Sequence, residues 1–429
     1  MSNPKSLRLL ITGICGFAGS TISRHLLEHS PGLSIIGFDN LSRRGSETNV
    51  EPLRKLGIDI RIGDVRDRAF LDSLPAADWI LDCAANPSVL AGVDGSGTRD
   101  LIDQNLYGTV NLLELCKTWK AGFTLLSTSR VYSIPPLANL PLRETPTRFE
   151  PDMDEGIDNC SLLIANSEHQ STCSGSSEAE TTGLSIGNQQ SAISPSGLSE
   201  AFSTTPPVSL YGSTKLCSEW LALEYGEAFG FPVWINRCGV LAGAGQFGKA
   251  DQGIFSYWIH SWRAGRPLKY IGFGGTGKQV RDCLHPKDLV PLLLKQFQTN
   301  AQPATRNASP LPRIVNCSGG ASNSMSLLEL SQWCARRFPG NSKNSSLLID
   351  NSNQLAADPA KLERPGFPSE ISNQQSAISS RPFDIPWMVL DPALAAETWQ
   401  WKPTTPIHDI LEEIAQHAEA NPNWIDLVT

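Results

Sequence analysis

A tyrosine and a lysine stand four residues apart in the segment SLYGSTKLCSEW, at Tyr211 and Lys215. Positions i and i+4 lie one turn apart on one helix face, so a phenol and an ammonium can meet there. A free phenol has a pKa of about 10 and is a poor base at neutral pH. A fixed ammonium favours the phenolate and lowers that value. The pair is either a base with its activator or two polar residues on a solvated helix face. By itself it does not separate the two.

A second constellation supplies context. ITGICGFAG sets Gly13, Gly16 and Gly19 between an apolar run and a helical stretch. A turn of this kind needs a residue that tolerates positive φ, a backbone without Cβ where a pyrophosphate approaches, and free N–H groups at the helix start. The same triplet also fits an ordinary strand–helix turn. The next apolar run ends GFDN, however, which puts Asp39 about 20 residues on, where an acceptor for a ribose 2′-hydroxyl belongs. A carboxylate there repels a 2′-phosphate, so NAD is expected as cofactor, while Arg43 and Arg44 keep NADP as an alternative. Asp64, in IGDVRD, stands at a third strand end and is a candidate for the adenine edge. With a dinucleotide in place the Tyr211–Lys215 pair reads as base and activator.

The elements that must position these residues are legible as a pattern. LRLLITG, LSIIGFDN, IDIRIGD, ADWILDCAA and GFTLLSTS are near-continuous apolar runs separated by helical stretches. Such strands belong to a parallel sheet covered on both faces. The expected fold class is α/β, a doubly wound parallel sheet of the Rossmann kind with a smaller C-terminal substrate-binding domain, and its ligand lies beyond the carboxyl ends of the strands. The cofactor domain is expected over 1–236 and a mainly substrate-binding domain over 237–429. Within the latter, the segment about 278–300 is expected to pack back on the sheet. Residues from about 154 to 203 are poor in large apolar side chains and read as a flexible polar insertion. A second insertion is expected at about 365–380. The heptapeptide NQQSAIS occurs in both tracts, at 188–194 and 373–379, without making a repeat architecture.

Composition excludes some classes. Lys plus Arg total 35 against 43 Asp plus Glu, a formal charge of −8, which gives no reason to expect nucleic acid or an anionic membrane as partner. No apolar run is long enough to span a bilayer. The ten cysteines are scattered singly, without C-x-x-C or metal spacing. They read as reduced thiols rather than a disulfide framework, and no metal is expected. MSNPKSLRLLITG has no signal-peptide architecture, so a cytoplasmic protein is expected.

TGxxGxxG, FDN, GDVRD, STSRVYS and YGSTK, in that order, resemble the extended short-chain dehydrogenase/reductase family of nucleotide-sugar epimerases and dehydratases. The resemblance covers nearly the whole chain outside the polar tracts. It implies a catalytic triad of Thr128, Tyr211 and Lys215, with Lys215 also reaching the nicotinamide ribose. It sets Phe17, Asn40, Val65, Ala84 and Ala85 against the cofactor beside the glycines, Asp39 and Asp64. In GTGKQVRDCLHPKDLV it makes Arg281 the residue that holds the sugar-nucleotide pyrophosphate, whereas the residues alone also allow an Arg281–Asp282 surface cluster. His285 reads as a structural hydrogen-bonder.

The dehydratase branch carries Asp-Glu directly after the loop threonine. Here Ser129 and Arg130 stand there, so the elimination acid is missing and epimerisation, with NAD retained through each turnover, is expected. DNLSRRGSETN, GQFGKADQGIFSYWI, GKQVRDCLHPKDL and NCSGGASNSMSLLEL resemble the branch acting at C2 of CDP-linked 3,6-dideoxyhexoses. That likeness makes Gln246, Asp251 and Gln252 candidate substrate contacts. The partner expected is a CDP- or UDP-linked sugar. Relatives that form dimers or tetramers imply a homo-oligomer, though no interface is readable. A UDP-sugar 4-epimerase, an NAD(P)H-dependent reductase and a non-catalytic dinucleotide sensor remain alternatives. Cys238, in NRCGVLAG, reads as a packing residue in the cofactor's path.

Overall fold

The computed structural model describes residues 7–93, 95–152, 192–299, 311–340, 344, 347 and 384–429. Strands β1 (Arg8–Thr12), β2 (Ser34–Asp39), β3 (Asp59–Ile62), β4 (Trp79–Asp82), β5 (Gly122–Thr128), β10 (Val233–Cys238) and β12 (Ile314–Cys317) form one sheet. Their order is β12-β10-β5-β4-β1-β2-β3, and every neighbouring pair is parallel. The chain runs outward from β1 through β2 to β3, then returns to start β4 on the other side of β1. That reversal opens a crevice at the carboxyl ends of β1 and β4.

Alternation along each strand explains the two cores. Leu9 and Ile11 of β1, with Trp79 and Leu81 of β4, pack to one side with Ile22 and Leu26 of the helix Phe17–His29. Leu10 and Ile80 face the other side and meet Leu112 and Leu113 of the helix Gly108–Trp119. Both faces are covered, so the strands read as unbroken apolar runs.

Residues beyond 237 take part in this sheet. Helix Val290–Gln298 lays Leu292, Leu293 and Phe297 into the first core. The indole of Trp234 donates to the Gln296 carbonyl (3.2 Å). Strand β12 is the sheet edge itself, in register with β10 from Ile235–Ile314 to Cys238–Cys317.

A smaller lobe stands over the crevice. Helix Ile254–Arg263 packs Trp258, Ile259 and Trp262 against Ile410, Leu411 and Ile414 of helix Ile407–Ala420. Beside them, β11 (Val280–Asp282) lies between β13 (Ser324–Ser326) and β14 (Trp387–Met388). Helix Leu327–Arg337 begins with a reciprocal cap between Ser326 and Glu329, which satisfies two otherwise orphaned N–H groups. The buried Asp282 ties the lobes together, accepting from Val240 N (3.2 Å), Leu390 N (3.0 Å) and the Ser318 hydroxyl. Two short hairpins complete the strands: β6 (Leu142–Glu144) with β7 (Phe149–Pro151), and β8 (Ile193–Ser194) with β9 (Gly197–Leu198).

The polar tract expected over 154–203 lies outside the described residues as far as 191. Residues 192–203 are built into the fold. Ile193, Leu198 and Phe202 bury themselves against Trp387, Met388 and Leu390, so three apolar side chains anchor a segment whose composition is otherwise Ser- and Gly-rich. The first NQQSAIS copy enters the described residues only at its last three positions. The second copy and the tract at 365–380 lie outside them. No helix among the described residues is long and apolar enough to cross a membrane.

Candidate active site

The crevice is a cleft of about 930 Å³ between the strand ends and the smaller lobe. Gly13, Gly16, Phe17, Gly19, Asp39 and Asn40 line one end of it, with Val65, Ala84 and Ala85. Gly13 has φ +59°, and a Cβ there would stand 2.9 Å from the Ala84 Cα. At Gly19 a Cβ would stand 2.4 Å from the Gly13 carbonyl oxygen. The turn is therefore tight enough to exclude side chains, and the helix it opens has no side-chain cap on its first N–H groups. Such an end attracts a phosphate.

Asp39 is nearly buried at the end of β2. One carboxylate oxygen accepts from Cys15 N (3.0 Å) and the other from Leu41 N (2.8 Å). Burial raises its pKa, against the lowering effect of those peptide N–H groups. Each oxygen keeps a lone pair for a diol. The glycine cradle, the open helix end and this fixed carboxylate suit the pyrophosphate and ribose of NAD.

Asp64 does not line the cleft. Its two oxygens accept from Nε and Nη2 of Arg66 (2.8 Å each), and one also accepts from the Asn40 amide (2.8 Å). The Arg66 hydrogen bonds hold its carboxyl well below the usual range. Its neighbours Gly63 and Val65 form the wall instead.

Tyr211 and Thr128 meet at the cleft's centre. Ser209 caps the helix Leu210–Phe229 by accepting from Gly212 N (3.1 Å). It does so at φ 85° and ψ 159°, a positive-φ conformation that costs a non-glycine residue about 1–3 kcal/mol. This fixes Tyr211 in the first turn. Thr128, the last residue of β5, hydrogen-bonds the phenol. Burial nevertheless pushes the phenol up to about 12, with Cys238 adding to the rise and Thr128 and Arg130 opposing it.

Lys215 lies one turn beyond Tyr211 on the same helix. It is 2% exposed and is not on the cleft wall. Burial lowers its pKa, and the carboxylates that counter this are Asp82 and Glu219. Glu219, one turn further, also takes the fork of Arg237 (Nη2 to Oε2, 2.7 Å). Lys215 in turn acts on Cys83 and Cys238, two residues of the cleft wall.

In the smaller lobe, Arg281 lines the cleft and donates to Asp384 (3.2 Å) and to the Val280 carbonyl (2.7 Å). Gln246 also lines it. Its amide nitrogen donates to the Leu241 carbonyl (2.7 Å), and its buried oxygen has no partner among the described residues. Asp251 and Gln252 reach the wall but are engaged across the cleft. The Ser88 hydroxyl donates to Asp251 (2.8 Å), and Arg43 donates to Gln252 (2.9 Å) and to the Phe247 carbonyl. Arg43, the residue that kept NADP open, is therefore committed to a clasp between the lobes. His285 accepts from Lys287 N (3.1 Å) and faces Glu413, a structural role. Cys238 is buried, its thiol pushed up to about 12 by burial.

Two lining residues carried no sequence signal. Asp384 follows a polar tract and lies far along the chain from its partner Arg281. Gln279 sits two residues before Arg281, donates to the Ile271 carbonyl (3.2 Å), and keeps a buried oxygen without a partner among the described residues. Among the described residues no cluster has the makings of a metal site.

Residues 9–153 and 182–316 match the model of the NAD dependent epimerase/dehydratase family. The CDP-paratose 2-epimerase of Salmonella typhi is 28% identical over 338 residues, covering 76% of this chain and 82% of that one. A probable UDP-glucuronate 4-epimerase of Rhizobium meliloti is 24% identical over 334 residues, covering 73% and 78%. Among solved structures, the UDP-glucuronic acid 4-epimerase of Bacillus cereus, with UDP-glucuronic acid and NAD, superposes with a TM-score of 0.63. It is 19% identical and covers 96% of this chain and 99% of that chain.

Proposed function

Because the chain belongs to the NAD dependent epimerase/dehydratase family, we propose that it is a nucleotide-sugar epimerase inverting C2 of a CDP-linked 3,6-dideoxyhexose. The observation that carries the reading is the pairing of Thr128 with Tyr211 in the cleft that the glycine cradle opens, with Ser129 and Arg130 where elimination would need acids. The similarity to a CDP-paratose 2-epimerase over most of both chains supports the nucleotide and the carbon.

NAD, when bound, would supply the acceptor for the hydride of the sugar carbon and the donor for its return. Gly13, Gly16 and Gly19 would cradle its pyrophosphate and Asp39 would hold its ribose. Thr128 orients the sugar oxygen beside Tyr211. The Tyr211 oxygen accepts the hydroxyl proton as the carbon is oxidised and returns it when the opposite face is reduced. Arg281 holds the diphosphate through paired hydrogen bonds while the keto sugar turns. The reaction needs no further acid.

Incubation with a panel of CDP- and UDP-linked sugars, with product stereochemistry followed by NMR, tests this. Inversion at C2 of a CDP-sugar is expected, and Tyr211→Phe should lose it by at least about a thousandfold while retaining NAD. Inversion at C4 of a UDP-sugar would transfer the reading to the second group of relatives. Unchanged turnover in Tyr211→Phe would remove the mechanism.

A further inference from the structure

The loop that leads into helix Ile254–Arg263 reaches from the smaller lobe across to the sheet. Its root is fixed on the lobe. The Trp424 indole and the Ser256 hydroxyl donate to the Gln246 carbonyl (3.0 and 3.1 Å), and the buried Phe247 stacks on Trp424 with 5.7 Å between ring centroids. Its tip, 249–252, is closed on itself by reciprocal peptide hydrogen bonds between Lys249 and Gln252 (2.7 and 3.1 Å). Gly248 and Gly253 flank that tip, the latter at φ 64°. A compact turn between two glycines is built to swing as a unit.

The tip is fastened to both banks of the crevice. On one side Arg43, just beyond Asp39, donates to the Gln252 side chain (2.9 Å) and to the Phe247 carbonyl. On the other, the hydroxyl of Ser88, in the loop that leaves β4, donates to Asp251 (2.8 Å). That second bank is held firm, because Asn86 N donates to the Asn105 side chain (2.8 Å), whose amide donates back to the Asn86 carbonyl (3.1 Å). Lys249, Asp251 and Gln252 line the same cleft as Gly13, Asp39 and Ala84. The tip thus bridges the crevice beside the residues that suit a dinucleotide.

We propose that the tip 249–252 is a gate over the cofactor, latched by Arg43 on one bank and Ser88 on the other. NAD would enter and leave only when it opens. The latching hydrogen bonds join protein groups alone, so they hold the gate equally with and without cofactor. Such a gate sets the rates of uptake and release together and leaves affinity unchanged. An enzyme that returns its hydride in every turnover has no need to exchange NAD, and a slow gate suits it. The inference uses the cofactor and nothing of the sugar.

Protein stripped of NAD and loaded with NADH reads the gate directly: excess NAD displaces the NADH, and the loss of bound-NADH fluorescence gives the release rate. Mixing stripped protein with NADH gives the uptake rate. Asp251→Ala and Gln252→Ala should each speed both rates about tenfold, the effect of losing one charge-assisted hydrogen bond, with Kd changed by less than about twofold. Asp251→Asn keeps an acceptor for Ser88 and should stay nearer the parent than Asp251→Ala. Gln252→Glu sets a carboxylate against the Arg43 guanidinium and should slow both rates. Thermal melts check that each variant folds, and the four substitutions act independently, so the loss of one leaves the others to decide. Unmoved release in both alanine variants overturns the proposal. So does faster release with unchanged uptake, which would make the tip a contact surface for the cofactor instead of a gate. A failed sugar panel leaves these rates intact, so the two failures are distinguishable.

Discussion

Asp39 shows how much one side chain carries. Its place at the end of an apolar run, a fixed distance from the glycines, is a sequence feature, and the structure fastens it by two peptide N–H groups. Hydrogen bonds to a charged acceptor are worth about 1.5–3 kcal/mol. Asp39→Ala should therefore weaken NAD by roughly ten- to a hundredfold. NADP should lose less, because the same carboxylate repels a 2′-phosphate. Calorimetric titration with both dinucleotides checks this, and equal losses would contradict the ribose contact. Neighbouring residues were less legible. Asp64 occupies a strand end as expected, yet Arg66, two residues on, captures both its oxygens. Lys215 keeps the expected spacing from Tyr211, but spacing does not say how deeply the ammonium is buried. Asp384 had no periodic or motif context to mark it.

At the scale of elements, the five apolar runs and their helices were readable because a sheet covered on both faces leaves little room for polar residues. What alternation and composition do not encode is which turn presses on which helix. Gly212, where a Cβ would stand 2.2 Å from the Arg130 carbonyl oxygen, is the contact that sets the Ser129–Val131 turn against the tyrosine's helix. Gly212→Val, forced against a backbone oxygen, should cost on the order of 1–3 kcal/mol of stability. It should also lower turnover more than tenfold while NAD affinity changes little, since the cradle lies on other elements. Parallel melting, binding and rate measurements separate these effects, and a rate equal to the parent would show that the clamp is dispensable. The hairpin of β8 and β9 escaped notice for a related reason. Three apolar residues suffice to anchor it, too few to outweigh the polar tract before it in any compositional window.

Across the whole molecule the smaller lobe rests on buried groups that prefer to be neutral. His260 and His417 meet between helices Ile254–Arg263 and Ile407–Ala420, with 3.3 Å between ring nitrogens. Burial, and His417 after it, depress His260 to about 3. Glu413, on the same helix as His417, is the charge facing the latter ring. A histidine unfolds to a pKa of about 6.5. Below that value the unfolded chain binds a proton that the folded one refuses, so stability is full above it and falls with acidification. The expected slope is about 1.4 kcal/mol per pH unit from this ring. Urea melts between pH 7 and 5 should show that slope, shallower in His260→Gln. Equal slopes would place the acid sensitivity elsewhere.

The sheet edge β12 is supplied by chain that has already visited the smaller lobe, and β14 comes later still. No single cut therefore separates a coenzyme-holding fragment from a sugar-holding one. On the proposed function, retailoring such a protein toward another nucleotide-linked sugar means exchanging rim segments around Gln279, Arg281 and Asp384. A transplant joined at one junction would instead pull a strand out of its neighbours.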